Sequence, residues 1–177
     1  MDQTRRLAEV TLRGVTLPKE ALLGQWDSGG ESLERALQLS LVALAAEQVG
    51  GAQACLDMSV AYAIEREQFG RPIGSFQAIK HKCADMMVLV ESARSAVYYA
   101  ACAATERRNE LAACAALAKA YCSDAYFQCA ADAIQIHGGV GFTWEYDVHL
   151  HFKRARSSEH LLGAPPYHRE RVAREIG

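Results

Sequence analysis

Two stretches of the sequence bring together residue types that can hold a phosphorylated cofactor. The first, Arg66-Glu67-Gln68-Phe69-Gly70-Arg71-Pro72-Ile73-Gly74-Ser75-Phe76-Gln77, breaks a long helical pattern with cations, aromatics and two glycines. The second, Gln135-Ile136-His137-Gly138-Gly139-Val140-Gly141-Phe142-Thr143-Trp144-Glu145-Tyr146, ends another helical pattern with three glycines packed within four residues. Glycines so placed let the backbone turn sharply and let a ligand approach main-chain amides. A guanidinium offers forked donors to a phosphate, and an aromatic ring offers a flat apolar partner to a base. Each stretch alone is an ordinary motif, since a cation and a glycine close many helices and Gly-Gly-x-Gly is a common turn. Together, each at the junction of two long helices, they point to a cofactor site at the ends of a bundle.

Other chemistries find less support. The six cysteines, at 55, 83, 102, 114, 122 and 129, never form a Cys-x-x-Cys pair and all fall in alanine-rich helical patterns. They read as small, buried, reduced side chains, which implies a cytoplasmic protein, and their spacing does not suit zinc. His149 and His151 are two apart, so on a helix they point to different faces. A ferritin-like di-iron bundle would need Glu-x-x-His on facing helices, a spacing that no helix interior here supplies. With 177 residues, half of them hydrophobic, and a formal net charge of -2, the chain suits one soluble domain with its own core. Lysines and arginines are mixed with acids, so no nucleic-acid partner is expected. The longest apolar run, Leu39 to Ala46, is broken by Ser40 and ended by Glu47, short of the roughly 20 residues that span a bilayer, so no membrane partner is expected either. No secretory h-region follows Met1.

The elements that must position the two stretches follow from periodicity. From Leu7 to Leu17 apolar and polar residues alternate and Pro18 closes the run, which predicts one or two short half-buried strands. A strand pair alone is unstable, so this segment reads as the remnant of a larger sheet. Beyond Ser28-Gly29-Gly30 the pattern turns helical. A first helix over about Glu31 to Gln68 carries the stripe Leu33, Leu37, Leu41, Leu44, Gly51, Cys55, Met58 and Tyr62. Ser75 is the expected N-cap of a second, with Arg107-Arg108 near its end facing the negative pole of the macrodipole. Asn109 caps a third that runs to Gly138, and a fourth covers about Glu145 to Leu162 until Pro165-Pro166 stops it. Met58, Met86, Tyr121 and Tyr126 are expected in the core. The fold class is therefore all-α: an antiparallel four-helix bundle of long helices over residues 30–177, preceded by a short β-strand remnant and linker over residues 1–29.

The two stretches, and nearly the whole chain with them, resemble the C-terminal part of flavin-dependent acyl-CoA dehydrogenases. The family pattern of Arg-x-x-Phe-Gly followed by Ile-Gly-x-Phe-Gln is matched by Arg66 to Gly70 and Ile73 to Gln77, and its Gln-x-x-Gly-Gly-x-Gly-Phe by Gln135 to Phe142. Val15-Thr16-Leu17-Pro18 and Leu22-Leu23-Gly24 resemble the exit from the family's middle β-domain. The resemblance implies an FAD flavoprotein that desaturates acyl-CoA thioesters at the α and β carbons. It also implies that Arg66 binds the pyrophosphate, Phe69 lies against the adenosine end and Gln77 hydrogen-bonds nearby. Gln135, Gly138 and Gly139 would contact the adenine-side half of a flavin from the other side of a dimer. A homologous subunit, identical or different, thus becomes part of the site.

The sequence also departs from the family. Abstraction of the α-proton needs a carboxylate placed across the thioester from the flavin. At the two positions where relatives place that glutamate, this chain has Leu162 and Ser40, neither able to take a proton. Glu159, about one turn before Leu162, is the nearest carboxylate and the weak candidate for a base. In this respect the chain resembles the subunits of heteromeric members that frame a flavin while a homologous partner carries the base. The alternative is a structural subunit or fragment without turnover of its own. A full family member is about twice as long, with an N-terminal helical domain and a middle β-domain that holds the isoalloxazine.

Overall fold

The computed structural model describes residues 2–107 and 109–177. Among them the chain forms α1 (Gly29–Glu65), a two-residue-per-strand hairpin of β1 (Glu67–Gln68) and β2 (Arg71–Pro72), α2 (Gln77–Thr105), α3 (Leu111–His137), α4 (Val148–His160) and α5 (Pro165–Ile176). The all-α class expected from the periodicity is the class observed.

Side-chain contacts set the directions of the helices. On α1 and α3, Gln48 meets Ser123, Gly51 lies under Tyr126 and Tyr62 stacks on His137, so these helices run parallel at a constant offset. On α2 and α3 the partners descend as α3 ascends: the Cys122 thiol donates to Ala93 O, the Cys129 thiol to Met86 O, and Lys82 pairs with Asp132. The pairs Lys119 with Glu159 O and Tyr126 with His151 set α4 antiparallel to α3 in the same way. The result is an up-down-up-down bundle with α3 at its centre.

Composition explains why α3 takes that place. It buries residues on every side, among them Ala115, Ala116, Ala118, Cys122, Ala125, Cys129, Ala130 and Ala133. Alanine favours the helix and lets neighbouring backbones approach closely. Larger side chains fill the spaces between, Met86, Val90 and Cys55 from the partners and Leu111 from α3 itself; all four are fully buried, and a large apolar side chain so placed contributes roughly 1.5–3 kcal/mol. One large α3 residue, Tyr126, needs a notch. Gly51 provides it, for a Cβ there would sit 2.3 Å from the tyrosine ring. A buried polar chain fixes the same register: Gln48 donates to Ser123 Oγ and Ser158 Oγ, and Ser123 to Lys119 O. Slipping any of these helices would strand buried polar atoms, at about 1–3 kcal/mol each.

Several expectations are corrected. The segment from Leu7 to Leu17 forms no strand; it has no regular secondary structure and is exposed, with Leu7, Val10 and Leu12 all more than 70 % accessible. Its ladder groups have no second strand to pair with, and alternation without a partner makes no sheet. The hairpin lies instead inside the first glycine-bearing stretch. Pro165 and Pro166 do not merely end α4; they start α5, where proline's missing N–H and fixed φ suit the first turn. That helix packs on α3 and is tied by Arg169 to Asp124 and by Arg171 to Glu34. Phe76 and Glu110, rather than Ser75 and Asn109, occupy the N-cap positions of α2 and α3. Arg107 bonds Tyr99 and Glu110 beyond the end of α2, and Arg108, expected beside it, lies outside the described residues. Leu33 and Leu37 are exposed because the packed part of α1 begins at Leu41. Cys102 is exposed and Tyr121 sits at the margin of the core, because each falls on the outer edge of its helix. By length and composition α1 could cross a membrane, as the core helix of a bundle also can; here its stripe from Leu41 to Ala63 packs into the bundle.

Gly50 and Gly51 separate the two meanings of a helical glycine. Gly51→Ala is expected to lower stability by roughly 1–3 kcal/mol through overpacking against Tyr126. Gly50→Ala, with nothing within 4 Å of the added methyl, is expected to raise it by about 0.5–1 kcal/mol. Urea unfolding of both variants checks the opposite signs.

Candidate functional site

The up-down-up-down order brings the end of α1, the start of α2, the end of α3 and the start of α4 to one end of the bundle. Both glycine-bearing stretches therefore lie there. At the end of α1, Arg66 turns out of the helix, its N–H still donating to Tyr62 O at 2.8 Å and its carbonyl accepting from Ile73 N–H at 2.8 Å. Its side chain is exposed. Phe69 and Gly70 form the hairpin turn with φ of 55° and 74°. For an aromatic residue that conformation costs about 1–3 kcal/mol, and here the ring is also 92 % exposed, with only its edge toward Phe76 at 6.1 Å. A bulky apolar ring held in a strained backbone and offered to solvent is placed for contact with something else. Arg71 covers Phe76, its guanidinium carbon 4.1 Å from the ring centroid. Gly74 lets the turn close on α1, where a Cβ would lie 2.8 Å from Ala63 O. Gln77 opens α2 with its side chain exposed.

The second stretch is more open. Gly138 ends α3 at φ 64°, ψ -138°, a region closed to residues with a side chain. Gly138 and Gly139 are exposed, with nothing within 4 Å of the place a Cβ would take, and Gln135 is exposed one turn earlier. Gly141 folds the turn back, pressed against Ile134 O and the His137 side chain.

What joins the two stretches was not visible in the motifs. The Tyr62 ring stacks on His137 with centroids 4.3 Å apart and planes 21° from parallel. Tyr146 meets both rings edge-on, at 5.6 and 5.4 Å. The His137 Nδ1–H donates to Ala133 O at 2.7 Å, which fixes the tautomer, and burial holds the imidazole pKa below its ordinary value. A turn further in, Lys82 pairs with Asp132, which also accepts from Gln128 at 2.8 Å. The signal that could have found the link was the spacing Tyr62–Arg66, one helical turn, beside His137–Gly138.

The structure thus brings Arg66, Phe69, Gln77, Gln135, Gly138 and Gly139 to one end. It does not bring Glu159 there. Glu159 lies near the opposite end, beside Lys119, which is 18 residues or roughly 27 Å along α3 from His137. The Glu159 carboxylate accepts from Arg156 at 2.7 Å. Lys119, fully buried, donates to Glu159 O, Gly163 O and Ser123 Oγ at 2.8–3.1 Å, so its ammonium sits on the carbonyl end of α4, where a cation is favoured. The His168 Nε2–H donates to Leu162 O at 3.0 Å, and Leu162 and Gly163 both have positive φ. The 161–164 loop is therefore pinned, with the Leu162 side chain partly exposed. Ser40 spends its hydroxyl on Ala36 O of its own helix. Among the described residues no group of His, Cys, Asp and Glu is arranged to hold a metal.

Residues 27–177 match the family model described as acyl-CoA dehydrogenase, C-terminal domain. The chain belongs to the acyl-CoA dehydrogenase family. Among its relatives is the acyl-CoA dehydrogenase IpdE2 of Mycolicibacterium smegmatis, 46 % identical over 176 residues, a match that covers 99 % of this chain and 51 % of that protein. The butyryl-CoA dehydrogenase structure from Megasphaera elsdenii superposes with a TM-score of 0.85 at 33 % identity, over 90 % of this chain and 42 % of that one. The structure of PigA with FAD and proline gives 0.87 at 28 % identity, over 93 % and 43 %. The chain spans about half the length of the curated relative it matches along nearly its whole length.

Lys119 makes a pH-dependent contribution to stability. Burial pulls its pKa down to about 8, with Glu159 opposing the shift, while in the unfolded chain it returns to 10.5. Between those values the unfolded chain holds a proton that the folded chain has released. The contribution therefore grows as pH rises through this window and is lost as pH falls through 8, with a limiting slope of about 1.4 kcal/mol per pH unit. The buried thiols Cys122 and Cys129, pushed up to about 12, act in the opposite direction above pH 9. The expected outcome is that the stability difference between the native chain and Lys119→Met moves in favour of the native chain from pH 7.5 to 10 in paired urea titrations.

Proposed function

We propose that residues 30–177 are the C-terminal helical domain of an FAD-dependent acyl-CoA dehydrogenase, with residues 1–29 as its link to a β-domain. In this reading the domain supplies FAD contacts and a subunit interface to α,β-desaturation of an acyl-CoA thioester. The observation that carries it is the exposure of Arg66, Phe69, Gln135, Gly138 and Gly139 at a single end of the bundle, with open space over the two glycines. The chemistry of the donors fits the group. Arg66 would hold the pyrophosphate, Phe69 would take the adenosine face, Gln77 and Gln135 would donate beside it, and the Gly138 and Gly139 backbone would let the dinucleotide lie close. When bound, the flavin accepts the hydride that leaves the β-carbon. The chain's own part is to bind, orient and exclude water. A homologous subunit, which holds the rest of the cofactor, completes the site, and six free cysteines suit a cytoplasmic setting.

The proton acceptor is assigned to that partner. Leu162 and Ser40 carry no base, and the Glu159 carboxylate is engaged by Arg156. The same observation favours a second reading, a structural subunit that frames the flavin without turnover of its own.

Co-purification with a homologous subunit tests both. Flavin absorbance that survives purification, together with acyl-CoA-dependent reduction of an artificial electron acceptor, supports the first reading; bound flavin without turnover supports the second. Arg66→Ala and Phe69→Ala are each expected to weaken flavin retention by roughly 1–3 kcal/mol, about tenfold or more. Unchanged retention in an active complex overturns the site assignment.

A further inference from the structure

We infer that the Tyr62–His137 stack is a positioning device that holds the Arg66 turn and the Gly138–Gly139 turn at a fixed separation, so that both grip one dinucleotide. The inference rests on the FAD reading above. Each residue of the stack is bonded into one of the turns. Arg66 N–H donates to Tyr62 O at 2.8 Å, so the cation emerges one helical turn from the tyrosine ring. His137 directly precedes Gly138, and Gly141 folds back onto the His137 side chain. The ring-to-ring distance of 4.3 Å therefore sets the spacing between a guanidinium and a run of open amides. Tyr146 braces both rings from the chain that leads into α4.

The histidine is suited to this. Its Nδ1–H is committed to Ala133 O, so the ring cannot spin, and it is 5 % exposed, so the stack is dry on that side. The groups facing it are Tyr62 from α1, Tyr146 from the following loop and a carbonyl of its own helix. A flat ring is what the place requires. Two half-sites on a rigid frame bind a ligand that spans them far more tightly than either half alone, because the second contact forms at high effective concentration. Loosening the frame removes that gain and leaves each half-site intact.

This separates positioning from simple damage. FAD and inorganic pyrophosphate are titrated separately onto the flavin-free complex of the chain with its homologous subunit; pyrophosphate reaches only the contact at Arg66. His137→Ala and Tyr62→Ala are each expected to weaken FAD binding by roughly tenfold or more while pyrophosphate affinity stays within about twofold. His137→Phe, which keeps a flat ring on Tyr62, is expected to restore most of the FAD affinity. Leu111→Ala, destabilised at the opposite end of α3, is expected to bind FAD as the native complex does. Tyr62 is half-buried near a helix end, so its alanine variant stands in if His137→Ala does not fold. FAD affinity unchanged in both alanine variants, a parallel fall in pyrophosphate affinity, or no recovery with His137→Phe overturns the inference. Arg66→Ala tells this failure from the other: if it too leaves FAD affinity unchanged, or if the native complex binds no FAD, the FAD reading itself is what fails.

Discussion

Every other helix packs against α3, and the small side chains of α3 are what allow it. Alanines and cysteines at 115, 116, 118, 122, 125, 129, 130 and 133 leave no bulk to hold neighbours away, so backbones approach and the register is read by the few residues that do protrude. Tyr126 is the largest of these, and it fits only where α1 presents Gly51. Once that notch is engaged, the parallel offset of α1 and α3 is fixed along their whole shared length. Gln48 then meets Ser123 one turn in one direction, and Tyr62 meets His137 three turns in the other. The position of the two turns beside each other is thus a consequence of a packing choice made some 16 Å away along the helices.

The two ends of the bundle do different things with the same materials. At one, an arginine, a strained phenylalanine and open glycines are left unsatisfied by the fold, which is how a binding surface differs from a core. At the other, Lys119 and His168 consume the polar atoms of the 161–164 loop, and the place where relatives are expected to carry a carboxylate holds Leu162. A buried ammonium on three oxygens fixes a loop firmly, and a loop so fixed around a leucine serves shape rather than proton transfer. The division of labour proposed with a homologous subunit draws on that contrast.

The helices and the two motifs were legible because both are local properties. A stripe at steps of three and four names a helix whatever it packs against, and Arg66 to Phe69 or Gln135 to Gly139 can be read as donors and glycines without knowing their neighbours. Boundaries were less legible. Ser75 and Asn109 have the chemistry of caps, yet Phe76 and Glu110 hold the cap positions, because tertiary packing chose where each helix begins. The strand text from Leu7 to Leu17 misleads for a related reason: alternation records a preference for a sheet, and a sheet needs a partner strand that these residues do not have here. Pro165-Pro166 signals a helix stop and a helix start equally well, and only the packing of α5 on α3 distinguishes them.

The sequence by itself determined the class of fold, the family pattern and the kind of group the exposed turns suit, since each depends on residue type and spacing along one segment. Tertiary structure alone decided that both turns share one end, that Glu159 lies at the other, and that Tyr62 and His137 join the first pair. The last of these relates residues 75 positions apart. No local rule encodes them, because they come from the fit of one tyrosine into one glycine notch and the single register that fit permits.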